Sequence, residues 1–189
     1  GIWRNFFSRY AESNWMHKRM LALSSRLESM RSSPAVRAVA PLLYRAQAND
    51  AYWHGLFGGL YLPHLRRTIW QSLVALERAL DAIEPRTFPI RGDLDLDGVE
   101  EIFIGDAQLQ MVSRADGLGA IVELDSYVLG HNFGDSLRRI AEPYYAQLFA
   151  TPAGHEGSGI ASAHDRVELK HPISAADTTP DRHPRALFI

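Results

Sequence analysis

The 189-residue sequence contains no cysteine. Disulfide scaffolds, thiolate zinc sites and cysteine nucleophiles are thereby excluded. No apolar run approaches the roughly 20 residues needed to cross a bilayer, and no signal-peptide pattern opens the chain. No membrane partner is expected, and a cytoplasmic setting fits. Charge of one sign is also lacking. Lys and Arg number 20 against 22 Asp and Glu, for a formal net charge of -2. A broad basic surface for nucleic acid is not expected from that balance, whereas a neutral partner such as a sugar suits it. No internal repeat is visible. There is no initiator Met: Trp3, Phe6 and Phe7 follow Gly1 at once, and the chain closes on apolar Leu187, Phe188 and Ile189. Both ends read as those of a piece cut from something longer.

What is present is ordinary globular composition, 46% hydrophobic and 22% charged, enough to bury a core. The first half reads as helical. Met16, Met20, Leu23, Leu27 and Met30 recur at helical spacing, with Ser13 or Asn14 as a cap. Ser33 and Pro34 open a second helix, which Pro41 should interrupt or restart. A third begins near Pro63, with Leu65, Ile69, Leu73, Leu76, Leu80 and Ile83 as its buried stripe and Pro85 as its stop. Residues 86–92 read as a linker. Beyond them, residues 99–104 are rich in branched side chains. Ala107, Leu109 and Met111 then alternate with polar residues, as do Ala120, Val122 and Leu124, with turn dipeptides between the runs. Residues 132–148 read as an irregular loop with a helical turn, and the tail from Thr151 as loops with one or two short strands. The expected class is α+β: a helical bundle over residues 1–86, then an incomplete antiparallel β-sandwich over residues 87–189.

Residues 47–66 carry the most information. Gly55, Gly58 and Gly59 suggest close backbone approach or positive φ. Tyr52, Trp53, Phe57 and Tyr61 cannot share one helical face, so some must line a loop or cleft. Flat aromatic faces stack on pyranose rings, and Gln47, Asn49, Asp50 and His54 could meet the sugar hydroxyls. The plain alternative is that the rings are core and the glycines only turn the chain.

The run Gln47-Ala48-Asn49-Asp50-Ala51-Tyr52-Trp53-His54-Gly55, followed by Phe57-Gly58-Gly59-Leu60-Tyr61-Leu62-Pro63-His64-Leu65-Arg66, closely resembles the last of five motif regions in glycoside hydrolase family 57. The match favours its 4-α-glucanotransferase and α-amylase-like members. The flanks agree. Gly1 to Phe6 with Glu12, Ser13, Asn14, Met16, His17 and Lys18 resembles the entry to the helical middle domain of those enzymes. Asp93-Leu94-Asp95-Leu96-Asp97-Gly98 with Glu100 and Glu101 resembles the entry to their C-terminal β-sandwich. Glu123, Leu124 and Asp125, with Asn132, Asp135, Leu137, Arg138, Arg139, Glu142 and Tyr144, also resemble that domain.

The resemblance implies a retaining α-1,4-glucan-acting enzyme that needs two carboxyl groups about 5 Å apart. In the family both belong to an N-terminal (β/α)7 barrel, which also carries a His-Gln-Pro motif. This chain has no His-Gln-Pro, so no catalytic residue is carried over, and the chain alone is expected to be inactive. Carried over are Tyr52 and Trp53 for sugar stacking. Asn49, Asp50 and His54 follow for hydroxyl contacts or for orienting the barrel carboxylates. The expected partners are an α-1,4-linked glucan or malto-oligosaccharide and the protein's own barrel. The alternatives are a non-catalytic carbohydrate-binding module and a purely structural interdomain module. Ala48 stands where the family often has cysteine.

Other patterns are weaker. Asp93, Asp95, Asp97 and Gly98 match the opening of a calcium loop of the EF-hand kind, but its twelfth position is Ile104, and Glu100 and Glu101 come too early for that geometry. No cofactor is expected beyond this calcium candidate. The eight histidines lack the four-residue spacing of helical zinc motifs. Ser158-Gly159 near His164 and Asp165 lacks a nucleophile elbow. Arg138-Arg139 reads as an ion-pair or interdomain contact, not as a phosphate site.

Overall fold

A computed structural model describes residues 2–54, 58–149, 171–184, 186 and 187. The helices are α1 (Ile2–Arg9), α2 (Ala11–Ser29), α3 (Pro34–Ala46) and α4 (Pro63–Ile83). A sheet follows, with β1 (Ile90–Gly92), β2 (Glu101–Gly105), β3 (Leu109–Arg114), β4 (Ile121–Ser126) and β5 (His131–Asn132). It is an antiparallel meander in the order β1-β2-β3-β4-β5. A short helix, α5 (Tyr145–Leu148), falls in the expected irregular stretch. The chain forms two compact units, one of Gly1–Leu137 with Arg185–Ile189, the other of Arg138–Pro184. Within the second, Arg139 pairs with Asp181 at 3.0 Å, as its sequence suggested.

The helical expectations held with local changes. Met16, Met20 and Leu23 are buried on α2, Leu27 is half-buried, and Met30 is buried just past its end. Ser13 caps nothing: it lies inside α2, buried, and its hydroxyl donates to the Tyr52 carbonyl at 2.8 Å. Ser33 precedes α3 without a side-chain capping bond. Pro41 does not break α3, which runs through it to Ala46; the exposed ring removes one backbone donor without ending the helix. Residues 90–92 of the expected linker pair with β2 as a sheet edge.

The sheet alternates as expected, yet its most deeply buried positions include the polar ones. Gln110, Glu123 and Asp125 are fully buried, while Leu109 and Ile104 are about half exposed (49% and 46%). The cause is a charge lattice on the helices. Trp15 Nε1 donates to Glu123 at 2.8 Å, and Arg19 Nε donates to both Glu123 oxygens at 3.0 Å. Arg19 also pairs with Glu77 on α4, and Gln110 Nε2 donates to Glu77 at 2.8 Å. Arg86 holds the other Glu77 oxygen at 2.6 Å and Asp81 at 2.8 Å. Asp81 also pairs with Arg26 at 2.8 Å.

Four carboxyl groups thus meet three guanidinium groups. Burial, then the neighbouring Glu123, drives the Asp125 carboxyl well above its ordinary range. Burial pulls the Arg19 pKa down, but the carboxylates of Glu123 and Glu77 outweigh it and the net shift is upward. Paired in this way, buried charge becomes tolerable.

Candidate functional site

The segment between α3 and α4 is built from two 3₁₀ turns, Asn49–Tyr52 and Gly59–Tyr61. Close backbone approach explains the glycines. Gly59 has φ of +50°, and a Cβ there would lie 2.0 Å from the Trp53 carbonyl oxygen and 2.7 Å from that of Asp50. Gly58 has φ of +103°. Without side chains at these positions, the Leu60 amide donates to the Trp53 carbonyl at 2.8 Å and closes the loop. Arg66 secures the far side. Its Nη1 donates to the Leu60 carbonyl at 2.7 Å, while its Nε holds Asp135 at 2.9 Å.

The sequence-derived site residues separate into two groups. Asn49, Asp50 and His54 are exposed, and Trp53 is half-buried. Tyr52 is buried, and its hydroxyl donates to the Ala46 carbonyl at 2.6 Å. Burial, its main cause, raises its pKa. Its ring therefore supports the segment from beneath and offers no open face. Gly55 and Phe57 lie outside the described residues, as do His155, Ser158, Gly159, His164 and Asp165.

Trp53, His54 and Tyr61 form a ladder of rings. Trp53 and His54 stack at 5.4 Å and 13°, and His54 and Tyr61 at 6.0 Å and 22°. Helix α1 backs this ladder: Phe6 lies 4.8 Å from Trp53 and 5.2 Å from His54, and Trp3 lies 5.5 Å from Trp53 while staying 46% exposed. The Tyr10 and Tyr61 hydroxyls are 2.6 Å apart. The roles of Trp3, Phe6 and Tyr10 were missed from sequence, because α1 is short and lies over forty positions away. Their only local signal was the spacing of aromatics along the first ten residues.

Asp93, Asp95 and Asp97 occupy the turn before β2. The Asp93 carboxylate accepts from the amides of Asp97 at 3.1 Å and Gly98 at 3.0 Å. Leu96 and Gly98 take positive φ of 62° and 91°. Glu101, which the EF-hand spacing placed too early, is brought to the same spot. One oxygen each from Asp93, Asp95 and Glu101 lies within 4.8 Å of the others.

Comparison with known proteins gives a consistent result. Residues 1–80 match the family described as alpha-amylase/4-alpha-glucanotransferase, middle domain. Residues 93–189 match the alpha-amylase/4-alpha-glucanotransferase, C-terminal family. The chain is 42% identical over 188 residues to a 4-alpha-glucanotransferase of Thermococcus kodakarensis, covering 100% of this chain and 27% of that protein. It is 42% identical over 166 residues to an alpha-amylase of Pyrococcus abyssi, covering 87% and 24%. The crystal structure of a 4-alpha-glucanotransferase from Thermococcus litoralis superposes with a TM-score of 0.65 at 40% identity, over 78% of this chain and 21% of that one. The chain therefore spans about a quarter of the length of these relatives.

Proposed function

The chain belongs to the alpha-amylase/4-alpha-glucanotransferase family, and from that premise we propose that residues 49–61 wall part of an α-1,4-glucan cleft whose catalytic carboxyl groups lie in a barrel outside this chain. The observation that carries this reading is the Trp53–His54–Tyr61 ladder, with exposed Asn49, Asp50 and His54 in the same short segment. An apolar ring flanked by polar groups is the composition a pyranose requires: a stacking face for its C–H side, donors and acceptors for its hydroxyls. Trp53 supplies the face. Asn49, Asp50 and His54 supply the hydroxyl partners, and Tyr52 holds the turn.

In this reading the full-length protein breaks an α-1,4 bond through a glycosyl-enzyme intermediate and passes the glycosyl group to a sugar or to water. Residues 1–86 act as the helical middle domain and residues 87–189 as the start of a β-sandwich domain. The matched ranges 1–80 and 93–189 support a junction between them. A second reading has one specific observation in its favour. Trp53 touches Trp3 and Phe6 as a core residue would, which suits a purely structural module.

Titration with maltoheptaose, followed by tryptophan fluorescence, separates the two. Wild-type chain should respond saturably, and Trp53→Ala should not. No response in either protein defeats the sugar-wall reading and favours the structural one. Maltoheptaose should also stay intact during long incubation with the purified chain. Measurable turnover would defeat the assignment of catalysis to a barrel elsewhere.

A further inference from the structure

We propose that residues 93–101 form a calcium site in which Asp93, Asp95 and Glu101 supply the protein carboxylates. A spread of up to 4.8 Å between their oxygens is what a cation with ligands at about 2.3–2.6 Å produces. Clustered acids alone prove little, and the state of Glu101 is the independent observation. Its side chain is fully buried. One oxygen, Oε2, accepts from the Leu94 amide at 2.8 Å. The other, Oε1, is buried and has no hydrogen-bond partner. Its nearest cation is Arg114 Nη1 at 3.5 Å. A buried carboxylate oxygen without a donor is costly unless something positive meets it.

Arg114 does not fill that need. It is committed to Asp97, 2.6 Å from Nη2, and is spread at longer range over Asp95 at 3.7 Å and Asp116 at 3.5 Å. The Asp93 carboxylate meets two backbone amides, those of Asp97 and Gly98. One guanidinium is thus divided among Asp95, Asp97, Glu101 and Asp116, and Asp93 stands beside them.

The donor set is oxygen only, which favours a hard cation over zinc or copper. Calcium accepts irregular geometry with water completing its shell, whereas magnesium demands a near-ideal octahedron. The loop closes at its ninth position instead of the twelfth because the chain passes directly into β2. The first residue of that strand, Glu101, turns to the buried side. Asn14 on α2 donates to the Asp95 carbonyl at 3.2 Å, so a bound ion would brace the loop against a helix as well as the sheet.

The test uses the whole 189-residue chain, stripped with EDTA and dialysed. Calorimetric titration with calcium chloride should show one binding event, and thermal melts should shift upward to a plateau. Magnesium chloride at equal ionic strength should shift them less. Glu101→Gln should abolish the shift. Asp93→Asn, a half-buried position outside the strands, should weaken calcium by more than about tenfold, since even outer-shell changes cost 10–100-fold. Absence of heat and of any melting shift at millimolar calcium overturns the proposal, as does an undiminished shift in folded Asp93→Asn protein.

Discussion

Two regions of this chain hold clustered polar side chains, and they have opposite fates. Between α2, α4 and the sheet, Arg19, Glu77, Glu123 and Asp125 are sealed from water, and Arg19 pairs with both Glu77 and Glu123. Between α3 and α4, Asn49, Asp50 and His54 face solvent beside a half-buried indole. Strongly perturbed ionisable groups often mark active sites. Here they mark a closed structural joint, because no opening leads to it that a substrate could use: Glu77, Glu123 and Asp125 are all at most 1% exposed. The segment with accessible groups has an unusual backbone, with Gly58 and Gly59 at positive φ. Accessibility separates these two regions.

The sharpest way to break this contrast is to remove the cation at the centre of the joint. Arg19→Met leaves Glu77 and Glu123 short of a buried partner, and should lower unfolding free energy by about 3–5 kcal/mol, read from urea melts. A loss below that of an exposed ion pair would show that the lattice contributes little.

Gly59→Ala tests the other region. The added methyl meets the Trp53 and Asp50 carbonyls in a left-handed backbone conformation, so stability should fall by about 1–3 kcal/mol. The maltoheptaose response should fall with it, because Trp53 and His54 depend on that turn. An unchanged melt would mean that the loop relaxes freely.

The smallest effect sharpens the joint. The folded pKa of Asp125 lies above its unfolded value, so the native state binds the extra proton. Stability from this group is present below the ordinary aspartate range, near pH 4, and is lost as pH rises from there towards the folded value. Asp125→Asn can donate to Glu123 at every pH. Its melting temperature should decline less between pH 4 and 8 than that of the wild type. Parallel profiles would show that Asp125 does not carry this pH dependence.

Much of this was legible in sequence because it is local. The stripe Ile69, Leu73, Leu76 and Leu80 has a helical period and forms α4. The glycines at 58 and 59 announced a tight turn, and the turn is there. Residues 47–66 carried the family resemblance as one unbroken run. Alternation in β3 and β4 was also plain. Which face would be buried was not, since alternation fixes two faces and assigns neither to the core.

The sequence by itself determined the α+β order, the family and the segment richest in candidate sugar-binding groups. All of these rest on patterns within about twenty neighbouring positions. Only the tertiary structure decided that Tyr52 turns inward, that Glu101 joins Asp93 and Asp95, and that Glu123 and Asp125 form the buried face of β4. Charge burial depends on partners, and the partner of Glu123 lies 104 positions away at Arg19. No local pattern carries that distance; it exists only once helix and sheet have met.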